Sequence, residues 1–438
     1  MQFAPHTDDD IRGMLEACGL ASVDELYADV PAAVRLERDL SIPQGLSEME
    51  LVAEMRRLAG RNRNLDDVVS IAGGGAYDHY DPSVGWALAG RSEIYTSYTP
   101  YQPELSQGVL QALFEYQSMI CELTGLDVSN ASLYDGPTAL VEAVNMARSA
   151  TRRDRVLVSQ GLDRRYLHTL ESYGRGSGYR IDTAPLSGGV TSVAEVGEDI
   201  AALVVQHPSF WGNLEPISEL FDSAHRAGAR AIHVFDPLSL GVLRPPADVG
   251  ADIAVAEGQV LGNHLNYGGP YLGVIAARSQ DVRRMPGRIV GETTDVEGRP
   301  GYVLTLQARE QHIRREKAAS NICTNQTLMA VAATVYMSWL GPDGLAEVGS
   351  QCLAKATYAA ERLGSLSCAE LVWPDADCFK EFAVRPGRAP RDVQRGLFEA
   401  GFLVGPIADA ESLLVAVTER RTREEIDRFV KAFEEAAS

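Results

Sequence analysis

The stretch A-I-H-V-F-D-P-L-S-L, Ala231–Leu240, decides the fold. Its first half is rich in β-branched and aromatic residues and reads as a strand, which Asp236 and Pro237 end abruptly. Outward from it, short runs of the same kind recur at Arg155–Val158, Tyr179–Thr183, Ile200–Val205, Asp252–Val255 and Tyr271–Ala276, mostly with helical stretches between them. Strand and helix in alternation predict an α/β fold whose mostly parallel sheet is covered on both faces. Ligands of such sheets bind at the carboxyl ends of the strands, so Asp236 is placed to face the crevice.

The flanks complete the organisation. Thr7 can cap a helix that opens on Asp8, Asp9 and Asp10 and stops at Gly19, and a second helical stretch covers Ser47–Leu58. The three glycines in S-I-A-G-G-G-A-Y-D-H-Y, Ser70–Tyr80, predict irregular backbone. A helix from Gln107 runs through Leu110, Leu113, Phe114, Gln117 and Ile120 at helical spacing. After an apolar helix, Leu328–Leu340, come a long helix (Leu345–Leu363), strands near Leu371 and Phe382, and a helix from Pro390. A strand near Leu413 and a last helix, Arg423–Ala437, close the chain. The expected division is a helical arm over 1–65, a large α/β domain over 66–325 and a small α+β domain over 326–438.

Composition narrows the function. The 438 residues are 45% hydrophobic with 60 acidic and 40 basic side chains, a formal charge of −20, which argues against a nucleic-acid backbone or an anionic membrane as partner. The Leu328–Leu340 run falls short of the ~20 residues that cross a bilayer. Six scattered cysteines without C-x-x-C predict reduced, buried thiols, and Met1–Asp10 carries no basic segment leading into an apolar one. A cytoplasmic protein is expected. Four of the basic residues are lysines, Lys317, Lys355, Lys380 and Lys431, and the rest are arginines.

The eight histidines form no H-x-x-x-H or H-E-x-x-H pair, so no metal site is expected. Tyr134–Met146, Y-D-G-P-T-A-L-V-E-A-V-N-M, opens a helix where Gly136 and Thr138 suit an anion. Against that, Pro137 removes an N–H donor and Asp135 adds a negative charge, as a plain helix start would. Asp236 reads either as a partner for a protonated pyridine nitrogen, as pyridoxal phosphate sites require, or as a strand-end cap. Such a site also needs a lysine soon after the next strand. The segment there, A-E-G-Q-V-L-G-N-H-L-N-Y-G-G-P-Y, has none. Lys317, in the charged helical face R-E-Q-H-I-R-R-E-K, reads as solvated.

Longer strings carry a resemblance. S-Y-T-P-Y-Q-P-E (Ser97–Glu104), Y-Q-S-M-I-C-E-L-T-G (Tyr116–Gly125), F-D-P-L-S-L-G (Phe235–Gly241), N-Y-G-G-P-Y-L-G (Asn266–Gly273), M-P-G-R-I-V-G (Met285–Gly291) and Q-A-R-E-Q-H-I-R-R-E-K-A (Gln307–Ala318) resemble the P-protein, or glycine decarboxylase, of the glycine cleavage system, in its N-terminal half or α subunit. The resemblance implies the aspartate aminotransferase-like fold of type I pyridoxal-phosphate enzymes. It implies decarboxylation of glycine on pyridoxal phosphate held by a β subunit, and passage of the aminomethyl group to the lipoyl arm of H-protein, in an αβ or α2β2 assembly.

The family's cofactor lysine would fall near Gln259 here, so no catalytic residue is expected in this chain. Asp135, Gly136, Thr138, Asp236 and Gln259 then mark a degenerate cofactor pocket. The Ser97–Glu104 loop, with Tyr98, Thr99, Tyr101, Gln102 and Glu104, is the candidate for reaching the partner's cleft, with pure packing as the other reading. A self-sufficient pyridoxal enzyme using another lysine, or a non-catalytic paralogue serving as scaffold or regulator, are the alternatives.

Overall fold

The structure, a computed structural model, describes residues 5–97, 99–318, 320, 322 and 325–438. It divides into Met1–Arg63 and Asn64–Ser438. In the first unit, α1 (Asp8–Cys18) starts at Thr7, whose side chain accepts from Asp10 N while the Asp10 carboxylate accepts from Thr7 N, and it stops at left-handed Gly19. Ser47 and Glu50 cap α2 (Glu48–Ala59) in the same reciprocal way. No described residue of this unit is buried.

In the second unit a short strand, β1 (Val69–Ala72), and a helix, α3 (Ser83–Ala89), precede α4 (Gln107–Thr124). Then follow β2 (Val128–Ser129), α5 (Gly136–Thr151), β3 (Arg155–Ser159), α6 (Arg164–Ser177), β4 (Arg180–Ala184), β5 (Ile200–His207), α7 (Ile217–Arg226), β6 (Arg230–Phe235), β7 (Ile253–Glu257) and β8 (Gly273–Ala277). The seven strands from β2 to β8 lie side by side in the order β2-β8-β7-β6-β5-β3-β4. The pairs from β7 to β4 are parallel, and β8 runs antiparallel to β7 and β2.

Period-two alternation gives each face its own cover. Ala254, Ala256, Val274 and Ala276 pack with Leu110, Leu113 and Ile120 of α4. Their neighbours Ile253, Val255 and Ile275 pack with Leu140 and Val144 of α5. Each large aliphatic side chain enclosed in this way contributes roughly 1.5–3 kcal/mol.

Beyond the sheet, β9 (Ile289–Thr294) and β10 (Pro300–Thr305) form a hairpin, and α8 (Thr327–Gly364) is broken at Gly341, where φ is 61° and Pro342 follows. The C-terminal layer holds β11 (Ala369–Leu371), β12 (Glu381–Pro386), α9 (Pro390–Glu399), β13 (Phe402–Gly405), β14 (Leu413–Ala416) and α10 (Arg423–Ala437). Strands β11, β12 and β14 form one antiparallel sheet, and β13 pairs in parallel with β1.

Three local expectations need correction. Ser70–Ala72 belongs to a strand, because Phe402–Gly405 offers an edge that outweighs the glycines following it. The charged run Gln311–Lys317 is not one helix: α-helical backbone ends at Arg314, and Arg315 has a φ of 52°. That run has no apolar stripe to hold it down. Among the described cysteines Cys18 is exposed and only Cys352 is buried, all being free thiols, while Cys323 lies outside the described residues.

Candidate functional site

Strand β6 delivers Asp236 to the carboxyl edge of the sheet. One carboxylate oxygen caps the following turn by accepting from Leu238 N at 3.0 Å. The other meets Lys380 Nζ at 2.5 Å. Lys380 enters from the residue before β12 and is 2% exposed. Its ammonium also reaches His79 Nε2 at 3.0 Å and stands 3.6 Å from the centre of the Tyr77 ring. His79 Nδ1 continues to Glu419 Oε2 at 2.6 Å. A carboxylate, an imidazole nitrogen and an aromatic face together satisfy the buried cation.

A second set of internal polar contacts lies at the start of α5. Asp135 caps the helix, accepting from Thr138 N at 2.9 Å, with Thr138 Oγ1 accepting from Asp135 N. Gly136 N, at the positive end of the helix, donates to Glu257 Oε2 at 3.0 Å. Glu257 Oε1 takes Leu272 N and Gln259 N. Burial raises this carboxyl to about 7 against those donors. Position 136 must be glycine, since a Cβ would stand 1.9 Å from Tyr166 Oη.

Gln259, 2% exposed, forms a two-way clasp with Tyr77: its Oε1 accepts from Tyr77 N at 2.9 Å and its Nε2 donates to Tyr77 O at 3.2 Å. Tyr77 Oη donates to Glu381 Oε1 at 2.6 Å, and Gly74 N donates to Glu381 Oε2. Burial pushes Glu381 up to about 7. A cleft of about 350 Å³ lies against Asp135, Pro137 and Tyr271, whereas the space left among Tyr77, Asp163, Tyr166, Asp236, Lys380 and Glu381 is about 40 Å³. A water centre takes ~10–15 Å³, so a few waters fill it.

The other candidate residues lie elsewhere. Thr99 and Pro100 lead into a turn at Pro103–Leu105, with Tyr101, Gln102 and Glu104 exposed. Gln107 Nε2 ties this loop to Pro103 O and Tyr302 O, both at 2.8 Å. Thr99, Tyr101 and Gln102 line an open groove of about 820 Å³ that is separate from the Asp236 cavity, whereas Glu104 is not among its lining residues. Tyr98 lies outside the described residues. Lys317 is exposed and lines a third groove with Glu142 and Arg148.

The family model described as the glycine cleavage system P-protein matches residues 1–433. The chain belongs to this family. A relative from Moorella thermoacetica named "Probable glycine dehydrogenase (decarboxylating) subunit 1" is 51% identical over 99% of both chains, and one of the same name from Desulforamulus reducens is 48% identical over 98% of both. Among solved structures, a glycine decarboxylase (P-protein) of the glycine cleavage system in inhibitor-bound form matches with a TM-score of 0.94 and 45% identity, each chain fully covered. A sphingosine-1-phosphate lyase from Burkholderia pseudomallei, 14% identical with a TM-score of 0.63 over 93% of this chain and 94% of that one, shares the fold.

Within this P-protein family member, the residues that sequence reasoning missed are Lys380, Glu257, Tyr77 and His79. A signal for the first was present: C-F-K-E-F, Cys378–Phe382, sets two charges inside an otherwise apolar segment, and charges in such a place need partners. His79, Cys352 and Glu419 bring potential ligand atoms within 4.8 Å of one another. His79 there bridges Glu419 and Lys380, so its ring nitrogens are already engaged in hydrogen bonds.

Proposed function

We propose that this chain is subunit 1 of a two-chain glycine decarboxylase of the cytoplasm, that it holds no pyridoxal phosphate itself, and that it completes the active cleft of a β partner. The observation that carries this reading is that each anchor a pyridoxal site needs is taken by protein. An amide, Gln259, stands where the amine is expected, and it is clasped to the Tyr77 backbone. Lys380 already neutralises Asp236. Glu257 already occupies Gly136 N at the helix start. The space beside Asp236 and Lys380 is about 40 Å³, and the adjoining cleft of about 350 Å³ is lined by three carboxyls, Asp135, Asp163 and Glu257, against one cation, Arg165, a poor setting for a phosphate. These residues do not fit the cofactor.

Pyridoxal phosphate therefore belongs with the partner, as do the decarboxylation of glycine and the transfer to the lipoyl arm of H-protein. This chain's part is to shape and close the cleft, and the Ser97–Glu104 loop is the segment offered to it. No helix among the described residues is long and apolar enough to cross a membrane. The test is bicarbonate exchange into glycine with H-protein present, comparing this chain, its β partner and the mixture. Activity is expected in the mixture only. Full activity from β alone rejects the reading, and activity from this chain alone restores the self-sufficient enzyme.

A further inference from the structure

Arg288 closes the turn M-P-G-R, Met285–Arg288, just ahead of β9, and is 4% exposed. A guanidinium so deeply placed is ordinarily paired with a carboxylate, because burying an unpaired charge is costly. Arg421, 5% exposed, follows that rule by meeting Asp78 Oδ2 at 3.0 Å. Arg288 does not. Its Nη2 donates to Tyr101 Oη at 2.7 Å and its guanidinium carbon stands 5.0 Å from the Tyr101 ring centre, while Nε is buried with no acceptor. No ion pair joins it to a carboxylate among the described residues.

A second arginine adds to the local charge. Arg309 donates Nη2 to Gly287 O and Nη1 to Met285 O in the same turn, and Nε to Leu306 O. Among the described residues its hydrogen-bond partners are carbonyls. Burial lowers its pKa, more than the nearby Glu310 raises it. Two guanidinia thus share one four-residue turn, without a hydrogen-bonded carboxylate, in a chain of net charge −20.

Tyr101 carries this charge to the surface. Its hydroxyl oxygen accepts from Arg288, which leaves its own proton to donate, and the side chain is 52% exposed along the groove of the Ser97–Glu104 loop. We propose that Tyr101 and Arg288 form a carboxylate-binding site, completed when the β partner covers this groove. The proposal rests on the reading that this loop faces the partner's cleft. The phenol O–H is the donor offered to a carboxylate oxygen at the groove, and the unpaired guanidinium behind it supplies the positive charge. A phosphate would call for more donors, and Arg288 leads into a strand, so no helix N-terminus is added here.

The carboxylate has two sources, the substrate glycine or an acidic side chain of the partner. In the assembled complex with H-protein, Arg288→Met, Tyr101→Phe and Arg288→Lys separate them. If the carboxylate is that of glycine, Arg288→Met and Tyr101→Phe raise the KM for glycine roughly tenfold and leave the subunit dissociation constant unchanged. If it is the partner's, the dissociation constant rises by about the same factor, and KM at saturating partner stays put. In either case Arg288→Lys recovers part of the loss, since charge is kept and the planar fork is not.

Both constants within twofold of the parent, with only the thermal midpoint lowered, would mean that Arg288 merely props Tyr101 and would overturn the proposal. A change confined to the complex's affinity for pyridoxal phosphate would overturn it too. Either result leaves the subunit reading standing as long as activity still needs both chains. Full activity from β alone removes that reading whatever the variants do.

Discussion

Lys380 and Asp236 form a pair whose two members behave differently when one is removed and when both are. Truncating one partner of a buried ion pair leaves an uncompensated charge and costs ~3–5 kcal/mol, whereas replacing both with neutral groups of similar size is far milder. Lys380→Met is therefore expected to lower stability by about 3 kcal/mol or more. Lys380→Met with Asp236→Asn should recover at least ~1 kcal/mol relative to the sum of the single changes, read from denaturant melts as a double-mutant cycle. An additive cycle would show that the two charges do not act together.

Glu381 supports a second prediction at this scale. Its carboxyl titrates near 4.5 when unfolded and is raised by burial to about 7 in the fold. The stabilisation tied to its proton is thus fully present below pH 4.5 and is lost as pH rises through 7. Glu381→Gln can keep both contacts, its oxygen accepting from Gly74 N and its amide donating to Tyr77 Oη. The variant should gain on the parent by roughly 1–3 kcal/mol between pH 5 and pH 8. A constant difference across that range would mean that Glu381 is not protonated in the fold. The two residues also mark what the sequence reveals. Asp236 was legible because a strand end fixes where it points, while Lys380 became its partner only through the docking of the C-terminal layer on the sheet.

At the scale of elements, strands β3 to β8 were legible within a residue or two, because most are short apolar runs bounded by turn residues, β4 with its Arg180 and Asp182 being the exception. The break in α8 was legible as the gap between the expected helices Leu328–Leu340 and Leu345–Leu363, which the structure puts at Gly341. Strand β1 was hidden by the glycines beside it, and its existence depends on β13, far along the chain. Such contacts also set what a turn tolerates. Gly212, in the loop after β5, has a φ of 84°, and a Cβ there would stand 1.7 Å from Glu381 O at the start of β12. Backbone cannot step aside cheaply, so Gly212→Ala should lower stability by over ~2 kcal/mol and drop the thermal midpoint by several degrees. Gly298 has a similar φ of 79° with nothing within 4 Å, so Gly298→Ala should cost only about 1 kcal/mol. Equal losses at both sites would indicate that backbone conformation, and not the approach to Glu381, decides the effect.

For the whole molecule, the unit Met1–Arg63 has capped helices and no buried residue among those described. Met49, Leu51, Val52, Met55 and Leu58 of α2 are all exposed, and so are Leu26, Val34, Leu40 and Ile42 before it. Soluble monomers seldom leave contiguous apolar patches beyond a few hundred Å² in water, and obligate subunit interfaces bury ~2,000 Å² or more. A partner that covers this arm would supply the missing burial, so the free chain should self-associate and be cut by protease within Met1–Arg63. Mixing with the β subunit should protect those bonds at the same stoichiometry at which bicarbonate exchange appears, because both report one assembled species. Protection without exchange would leave the arm as an interface and withdraw the cleft-completing role of the Ser97–Glu104 loop. Exchange with the arm still fully cleavable would place the interface on Asn64–Ser438 alone and leave the arm without a part in assembly.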